Sequence, residues 1–325
     1  MMNITRQSRQ ERIDMNGECE GKHDSCSKAN ERADPGKERY GEEQRLKVRM
    51  NKIKRKIAII SGKGGVGKST VTVNLAMAFA IHGYANNVGI LDADITGPCV
   101  PKMLGLHGQK LQAGPAGIFP ALGPMGIKVL SMDFLLPSDE SPVIWRGPLK
   151  MKAISQFLSD IVWGELEFLF IDLPPGTGDE PLSIMQLIPE MDGVVIVTIA
   201  SEVSQIVVKK AVTFSRKLGI PVIGVIENMS GFICPKCGTE TNIFKVGGGQ
   251  KIAEDLSVPF LGSIPIDPEI CRDSDNGVAF IIEHVDSPAT KAFTEIVKKI
   301  ERFLERKERL ESPPKPSVPE RGTEK

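Results

Sequence analysis

A glycine-rich segment that could hold phosphate groups begins directly after the first β-rich run of the chain. It reads Gly62-Lys63-Gly64-Gly65-Val66-Gly67-Lys68-Ser69-Thr70 and leads into a helical pattern. Strand, glycine loop and helix in this order are the context in which G-x-x-x-x-G-K-[ST] indicates a nucleotide-binding loop. Backbone N–H groups and the helix N-terminus would surround the phosphate oxygens. We expect Lys68 to reach the β- and γ-phosphates and the Ser69 hydroxyl to hold Mg²⁺.

Acidic residues at the ends of two predicted strands would complete a magnesium–nucleotide site. Asp92 and Asp94 lie in LDADITGP, and Asp172 ends the run FLFID. An apolar run that ends in aspartate is typical of a Walker B strand, whose carboxylate binds Mg²⁺, often through water. A lone strand-end aspartate caps a turn about as often, so this prediction depends on the phosphate loop that precedes it.

A pair of cysteines, Cys234 and Cys237, has the C-x₂-C spacing of a metal-binding knuckle. One pair supplies two thiolates, whereas tetrahedral zinc or a cubane iron–sulfur cluster requires about four. The simplest way to reach that number is a symmetric dimer with the pair at its two-fold axis. A zinc-binding or inert knuckle remains an alternative at this point.

The second lysine of the phosphate loop makes the motif KGGVGKS, which resembles the deviant Walker A motif of the MinD/ParA/nitrogenase-iron-protein class. The resemblance implies that Lys63 reaches the nucleotide of a partner subunit. It also implies that Asp92 supports the metal and that Asp94 orients the attacking water. In the resembled ATPases the asparagine corresponding to Asn228 contacts adenine, with the segment Pro265-Ile266-Asp267 close by. The guanine-reading N/T-K-x-D element is missing after the predicted sixth strand, so ATP is favoured over GTP.

A longer series of motifs is similar to the Mrp/ApbC family of iron–sulfur cluster carrier ATPases. In chain order these are KGGVGKST, LDADITGP, VIWRGPLK, WGELEFLFIDLPPGTGDEP, IENMSGFICPKCG, GGGQKIAEDL and VPFLGSIPIDPEI. The resemblance implies a low-turnover ATPase that, as a homodimer, binds a bridging 4Fe-4S cluster through Cys234 and Cys237 of each chain. It further implies transfer of the cluster to apo-proteins, with ATP binding or hydrolysis governing the state of the dimer.

The remaining cysteines depart from the pattern of that family. Eukaryotic cytosolic relatives carry four N-terminal cysteines for a second cluster, whereas this chain has only Cys19 and Cys26 there. A metal role for those two thiols is left open. Cys99 and Cys271 stand where serine and arginine are common, and we expect both to be structural or incidental.

Composition excludes several other classes of protein. Lys plus Arg and Asp plus Glu each number 41 among 325 residues, so no basic excess indicates nucleic-acid binding. The apolar runs are too short to cross a membrane, and the N-terminus lacks an apolar signal region. Six cysteines are too few for a disulfide scaffold. We therefore expect a cytoplasmic protein. The nearest rival, a MinD- or ParA-type positioning ATPase, would need a terminal amphipathic membrane helix or a basic DNA surface. Another alternative is a zinc-knuckle scaffold whose ATP site acts only as a dimerisation switch.

The order of predicted elements indicates a doubly wound α/β fold with a mostly parallel sheet of seven or eight strands, of the deviant Walker A P-loop NTPase type. Continuous apolar runs such as VVIVT and VIGVI alternate with helical patterns across the core. Ligands in such sheets lie at the carboxyl ends of the strands. We predict a disordered charged arm at residues 1–54, the ATPase domain at 55–311 and a disordered Pro-rich tail at 312–325.

Overall fold

The computed structural model describes residues 35–135, 147–234 and 236–311. The strands within these ranges are β1 (Ile53–Ser61), β2 (Val88–Asp92), β3 (Gln112–Gly114), β4 (Gly117–Phe119), β5 (Ala121–Leu122), β6 (Lys128–Ser131), β7 (Leu166–Asp172), β8 (Gly193–Thr198), β9 (Val222–Glu227), β10 (Phe232–Ile233), β11 (Glu240–Thr241) and β12 (Phe260–Ser263). The α-helices are α1 (Pro35–Met50), α2 (Lys68–Phe79), α3 (Val100–Met103), α4 (Gly147–Asp160), α5 (Asp179–Leu187), α6 (Glu202–Lys217), α7 (Gly248–Asp255), α8 (Pro268–Asn276), α9 (Phe280–Glu283) and α10 (Pro288–Glu311).

One eight-stranded sheet organises the molecule, in the order β12-β9-β8-β1-β7-β2-β6-β5. All neighbours pair in parallel except the short edge strand β5, which is antiparallel to β6. The predicted α/β fold with a mostly parallel sheet is therefore confirmed. Because β1 lies between β7 and β8, the carboxyl ends of several strands meet around the segment that follows β1.

Helices cover both faces of this sheet, so the strands alternate between two apolar cores. In β1, Ile57 and Ile59 face the core beneath α2 and α10, while Ala58 and Ile60 face the core beneath α4, α5 and α6. Burial on both faces is the reason why these strands are continuous apolar runs and do not alternate with polar residues. Helix α10 buries an apolar stripe against the core beneath α2, formed by Phe293, Ile296, Val297, Ile300 and Leu304, with Phe303 partly buried.

The structure differs from the sequence prediction at the end of the N-terminal arm. Residues expected to lack order up to position 54 include helix α1 and the start of β1. Leu46 and Met50, one helical turn apart, are buried in the core that α4 also lines. That apolar contact offsets the entropy of ordering a charge-rich segment, which composition alone does not indicate.

Several features predicted from the sequence lie outside the described residues. These are the arm at 1–34 with Cys19 and Cys26, the VIWR portion of the VIWRGPLK motif, and the tail at 312–325. In the described part of the chain, no helix combines the length and the apolar composition that crossing a membrane requires.

Candidate functional site

The glycine-rich segment forms a tight loop between β1 and α2. Gly65 and Gly67 have φ of 76° and 78°, the left-handed region that favours glycine. A Cβ atom on Gly67 would also collide with the side-chain amide of Asn228. The loop therefore depends on glycine at this position for two independent reasons, backbone conformation and a close contact.

Lys68 begins α2, and its ammonium is almost fully buried at 7% exposure. Its Nζ lies 2.7 Å from Asp172 Oδ2 and 3.3 Å from Ser69 Oγ. The Ser69 hydroxyl also donates to Asp172 Oδ2, and Thr72 Oγ1 donates to Oδ1 at 2.7 Å. The carboxylate at the end of β7 is therefore fixed by three donors of the loop and the first turn of α2.

Asp92 and Asp172 lie side by side, since they are register partners at the ends of β2 and β7. Asp92 accepts hydrogen bonds from Ser131 Oγ at 3.0 Å and from the backbone of Val100 at 3.3 Å. Burial, and then the nearby charge of Asp172, hold the pKa of Asp92 well above its ordinary value. Two buried carboxylates beside one hydroxyl, that of Ser69, are a hard-oxygen donor set that suits Mg²⁺.

Three further residues lie around this group. Asp94 is half-buried, and its carboxylate accepts hydrogen bonds from Thr96 Oγ1 at 2.8 Å and the backbone of Gly97 at 3.3 Å. It thus stabilises its own loop, and the water-orienting role stays a prediction. Lys63 is half-buried, and no ion pair of its ammonium is found within the described ranges. Cys99, expected to be structural or incidental, interacts with the Ser69 hydroxyl, and burial raises the pKa of its thiol to about 11.

Asn228 follows β9 and is 8% exposed. Its side-chain amide donates to the carbonyl of Val66 at 2.9 Å, which joins the end of β9 to the phosphate loop. Asp267 Oδ1 accepts from the backbone of Glu269 at 3.0 Å, and Asp267 Oδ2 accepts from Ser287 Oγ at 2.8 Å, so this carboxylate caps α8. Pro265, two residues earlier, is half-buried. Contact of these residues with adenine stays a prediction.

Cys234 and Cys237 lie in the turn between β10 and β11, a small antiparallel hairpin. The turn is closed by hydrogen bonds from the backbone of Gly238 to the carbonyl of Cys234 at 2.8 Å and from Cys234 to that of Thr239 at 3.0 Å. Cys237 is exposed and Cys234 half-buried. The hydroxyl and backbone of Thr239 lower the pKa of the Cys237 thiol. Since the thiolate is the form that binds metals, this environment suits a metal ligand.

The hairpin segment is closed at its base by Glu227, a residue for which sequence reasoning predicted no role. Its side chain is fully buried and accepts hydrogen bonds from the Ser230 hydroxyl and from the backbone N–H groups of Gly247, at 3.0 Å, and Gly249. The carboxylate therefore lies at the N-terminus of α7, where a negative charge is favourable. It therefore joins the end of β9, which precedes the hairpin, to the start of α7, which follows it.

We predict that Glu227→Ala lowers the free energy of unfolding by about 3 kcal/mol, because three donors around a buried carboxylate lose their acceptor. Urea unfolding of the full chain measures this change. Glu240→Ala removes an exposed carboxylate of the same hairpin and should change stability by less than about 0.5 kcal/mol. Equal stability of the two variants would contradict the role assigned to Glu227.

Comparison with known proteins places the chain among iron-transfer P-loop NTPases. The family model described as "ParA: NUBPL iron-transfer P-loop NTPase" matches residues 52–301. A protein from Methanocaldococcus jannaschii named "Iron-sulfur cluster carrier protein" is 52% identical over 290 residues, which cover 89% of this chain and 99% of the relative. A protein of the same name from Saccharolobus solfataricus is 53% identical over 261 residues, or 80% of this chain and 88% of the relative.

Solved structures share the fold of this chain. A nucleotide-binding protein from Archaeoglobus fulgidus, in complex with ADP and with Co found by PIXE, is 40% identical and superposes with a TM-score of 0.67 over 77% of this chain and 95% of its own. The cell division ATPase MinD of Pyrococcus furiosus shares the fold, with a TM-score of 0.58 at 24% identity over 77% of this chain and 99% of its own. The chain therefore belongs to the ParA/NUBPL family of iron-transfer P-loop NTPases.

Proposed function

We propose that this protein is an ATP-dependent iron–sulfur cluster carrier that works as a homodimer. Cys234 and Cys237 of each chain bind one bridging 4Fe-4S cluster, which is the cargo and is delivered to apo-proteins. The names of the relatives support the carrier role, and the ADP complex of a 40% identical structure supports nucleotide binding. Cytoplasmic location and the absence of nucleic-acid partners stay predictions.

The observation that carries this proposal is the attachment of the cysteine hairpin to the nucleotide site. Ahead of β10, the Asn228 amide bonds Val66 in the phosphate loop, and the backbone of Ser230 donates to the carbonyl of Ile264 at 2.9 Å. Ile266 in turn donates to the carbonyl of Gly231 at 2.8 Å. The hairpin is thus held by the phosphate loop and by the segment expected beside adenine. A movement of the phosphate loop, or of the segment that contains Ile264 and Ile266, would be transmitted to the cysteines through these hydrogen bonds.

Ligand number and exposed apolar surface support the homodimer. Two thiolates per chain cannot complete the roughly four ligands of a cubane cluster, but two hairpins can. Apolar side chains that are exposed around the hairpin and the start of α6 are Val203, Ile206, Ile233, Ile243, Phe244 and Val246. The contact between Lys245 and Glu202 shows that the two parts of this surface lie next to each other. Such a patch is typical of a protein interface.

The phosphate loop and its carboxylates account for ATP hydrolysis. Lys68 and the loop N–H groups bind the phosphates, while Ser69, Asp92 and Asp172 would hold Mg²⁺, whose charge would offset that of the β- and γ-phosphates. Asp94 orients the attacking water, and Lys63 reaches the nucleotide of the partner subunit. ATP binding then favours the closed dimer, and hydrolysis or product release loosens the hold on the cluster.

Lys63→Ala tests the contribution across the dimer. We expect ATP hydrolysis to fall about tenfold or more, because a cation supplied by a partner acts on the charge that develops in the transition state. ADP affinity should change less than about twofold, since Lys68 and the loop N–H groups remain. Steady-state hydrolysis and ADP titration measure the two effects. Wild-type hydrolysis by this variant would mean that Lys63 is only a loop residue.

Cluster delivery is tested directly by mixing the anaerobically loaded protein with an apo-ferredoxin that takes a 4Fe-4S cluster. We expect holo-ferredoxin to form, and the rate to change when Mg·ATP is added. Native gels resolve the two proteins, so the gain of iron by ferredoxin can be measured separately. Formation of holo-ferredoxin at the same rate by free iron and sulfide alone would contradict the carrier function.

A further inference from the structure

A cluster of metal-ligating side chains includes no residue of the phosphate loop or of the cysteine hairpin. Glu269 and Asp273 are one turn apart on α8, so both side chains are on the same face of that helix. His284 follows α9 and approaches the same face, with Nε2 2.9 Å from Asp273 Oδ2. One ligand atom from each of the three residues lies within 4.8 Å of the other two.

We propose that Glu269, Asp273 and His284 bind a divalent transition-metal ion such as Zn²⁺. Ligands about 2.1 Å from a tetrahedral ion are about 3.4 Å apart, a separation that side chains already this close can reach by small rotations. An imidazole together with two carboxylates favours zinc, cobalt or nickel over magnesium and calcium, which prefer oxygen ligands alone. The three residues leave at least one position of the ion open to water.

The histidine is held in place before any ion binds. Its ring stacks on Phe280, with ring centroids 4.9 Å apart and planes inclined by 28°. Its backbone carbonyl accepts from Thr290 Oγ1 at 2.7 Å and from the backbone of Ser287 at 3.1 Å. The Asp273 side chain is 10% exposed, whereas that of His284 is 30% exposed, so the pair is ordered and still open to solvent. Such support lowers the entropy that metal binding costs.

Glu269 is paired with a cation that a metal ion could replace. Its side chain is 36% exposed, and its Oε2 is covered by neighbouring atoms. The Arg272 guanidinium makes an ion-pair contact with it, but the Arg272 side chain is 65% exposed. An ion pair with so exposed a cation contributes little, so a metal ion can displace Arg272 at small cost.

The test is Zn²⁺ titration by calorimetry of full-length Cys234→Ser/Cys237→Ser protein, with excess Mg²⁺ and ADP to fill the oxygen-donor site. We expect about one Zn²⁺ per chain and a decrease in affinity of about tenfold or more in His284→Ala and in Asp273→Asn. Arg272→Ala should bind Zn²⁺ more tightly, because the competing cation is gone. Co²⁺ in place of Zn²⁺ should give a visible spectrum that is lost in His284→Ala.

His107→Ala is the matched control, since His107 pairs with Asp133 at 3.1 Å and belongs to no three-residue ligand cluster within the described residues. It should bind Zn²⁺ as its parent does, and Zn²⁺ should raise the unfolding temperature of this control but not of His284→Ala. Equal affinity of the His284→Ala and His107→Ala proteins would overturn the proposal, as would the absence of Zn²⁺ binding. An unchanged or weaker affinity in Arg272→Ala would also contradict it.

Discussion

ATP turnover is expected to fall by about two orders of magnitude or more when Lys68 is replaced by alanine. The ammonium is the buried cation of the phosphate loop, and it lies between Ser69 and the Asp172 carboxylate. Its removal leaves the β- and γ-phosphates without their main cation from the same chain. Initial rates of phosphate release, measured at saturating Mg·ATP, give the size of the loss.

Loss of this lysine also leaves Asp172 without its ion-pair partner, so stability has to be measured with activity. Asp172 keeps the Ser69 and Thr72 hydroxyls as donors, and the variant should remain folded by circular dichroism. Lys54→Ala is the control, because Lys54 is an exposed cation on β1 that pairs with Glu167. Turnover in Lys68→Ala equal to that of Lys54→Ala would refute the assignment of the phosphate loop.

The second large expected effect is loss of the iron–sulfur cluster when a hairpin cysteine is replaced. Cys234→Ala and Cys237→Ala should each abolish the broad visible absorbance of the reconstituted protein. A dimer of either variant offers only half of the thiolates that a cubane needs. Both residues lie in an exposed turn outside the apolar cores, so folding should be retained. ADP binding should also survive, since the phosphate loop belongs to a different segment.

Other cysteines of the chain provide the controls for this prediction. Cys271→Ala removes an exposed thiol on α8, and Cys19→Ala/Cys26→Ala removes both thiols of the N-terminal segment. We expect both proteins to keep the cluster absorbance. Loss of the cluster in the N-terminal variant, with retention in the Cys234 and Cys237 variants, would mean that the ligands lie elsewhere.

The central elements of the fold could be predicted because their signals are local. An apolar run, a glycine loop and a helix lie next to one another in the sequence, and the same pattern predicted β1, the phosphate loop and α2. Helix α1 was missed because, among those of its side chains that the structure describes, only Leu46 and Met50 reach the core, amid many charged neighbours. Its order comes from contact with α4, which no local pattern indicates.

In the candidate site, sequence motifs predicted the residues expected to contact the nucleotide or a metal. They did not predict the side chains that hold those residues in place. Thr72 and Ser131 contact the two carboxylates, yet both stand in runs that indicate only a helix and a strand. A weak signal existed, since Thr72 lies one turn after Lys68 and Ser131 stands near the end of the apolar run IKVLSM. Glu227 also ends a strand, but its partners Gly247 and Gly249 come from a distant segment. Only the tertiary structure brings these together.

The central claim is that two chains share one cluster through four hairpin cysteines. Its most direct test is the iron and acid-labile sulfide content of the anaerobically reconstituted full-length protein, combined with its mass by native mass spectrometry. We predict a dimer that carries about four iron and four sulfide atoms in total, in agreement with one shared cubane. A monomer with its own four iron atoms, or a protein that holds zinc and no sulfide, would contradict the claim.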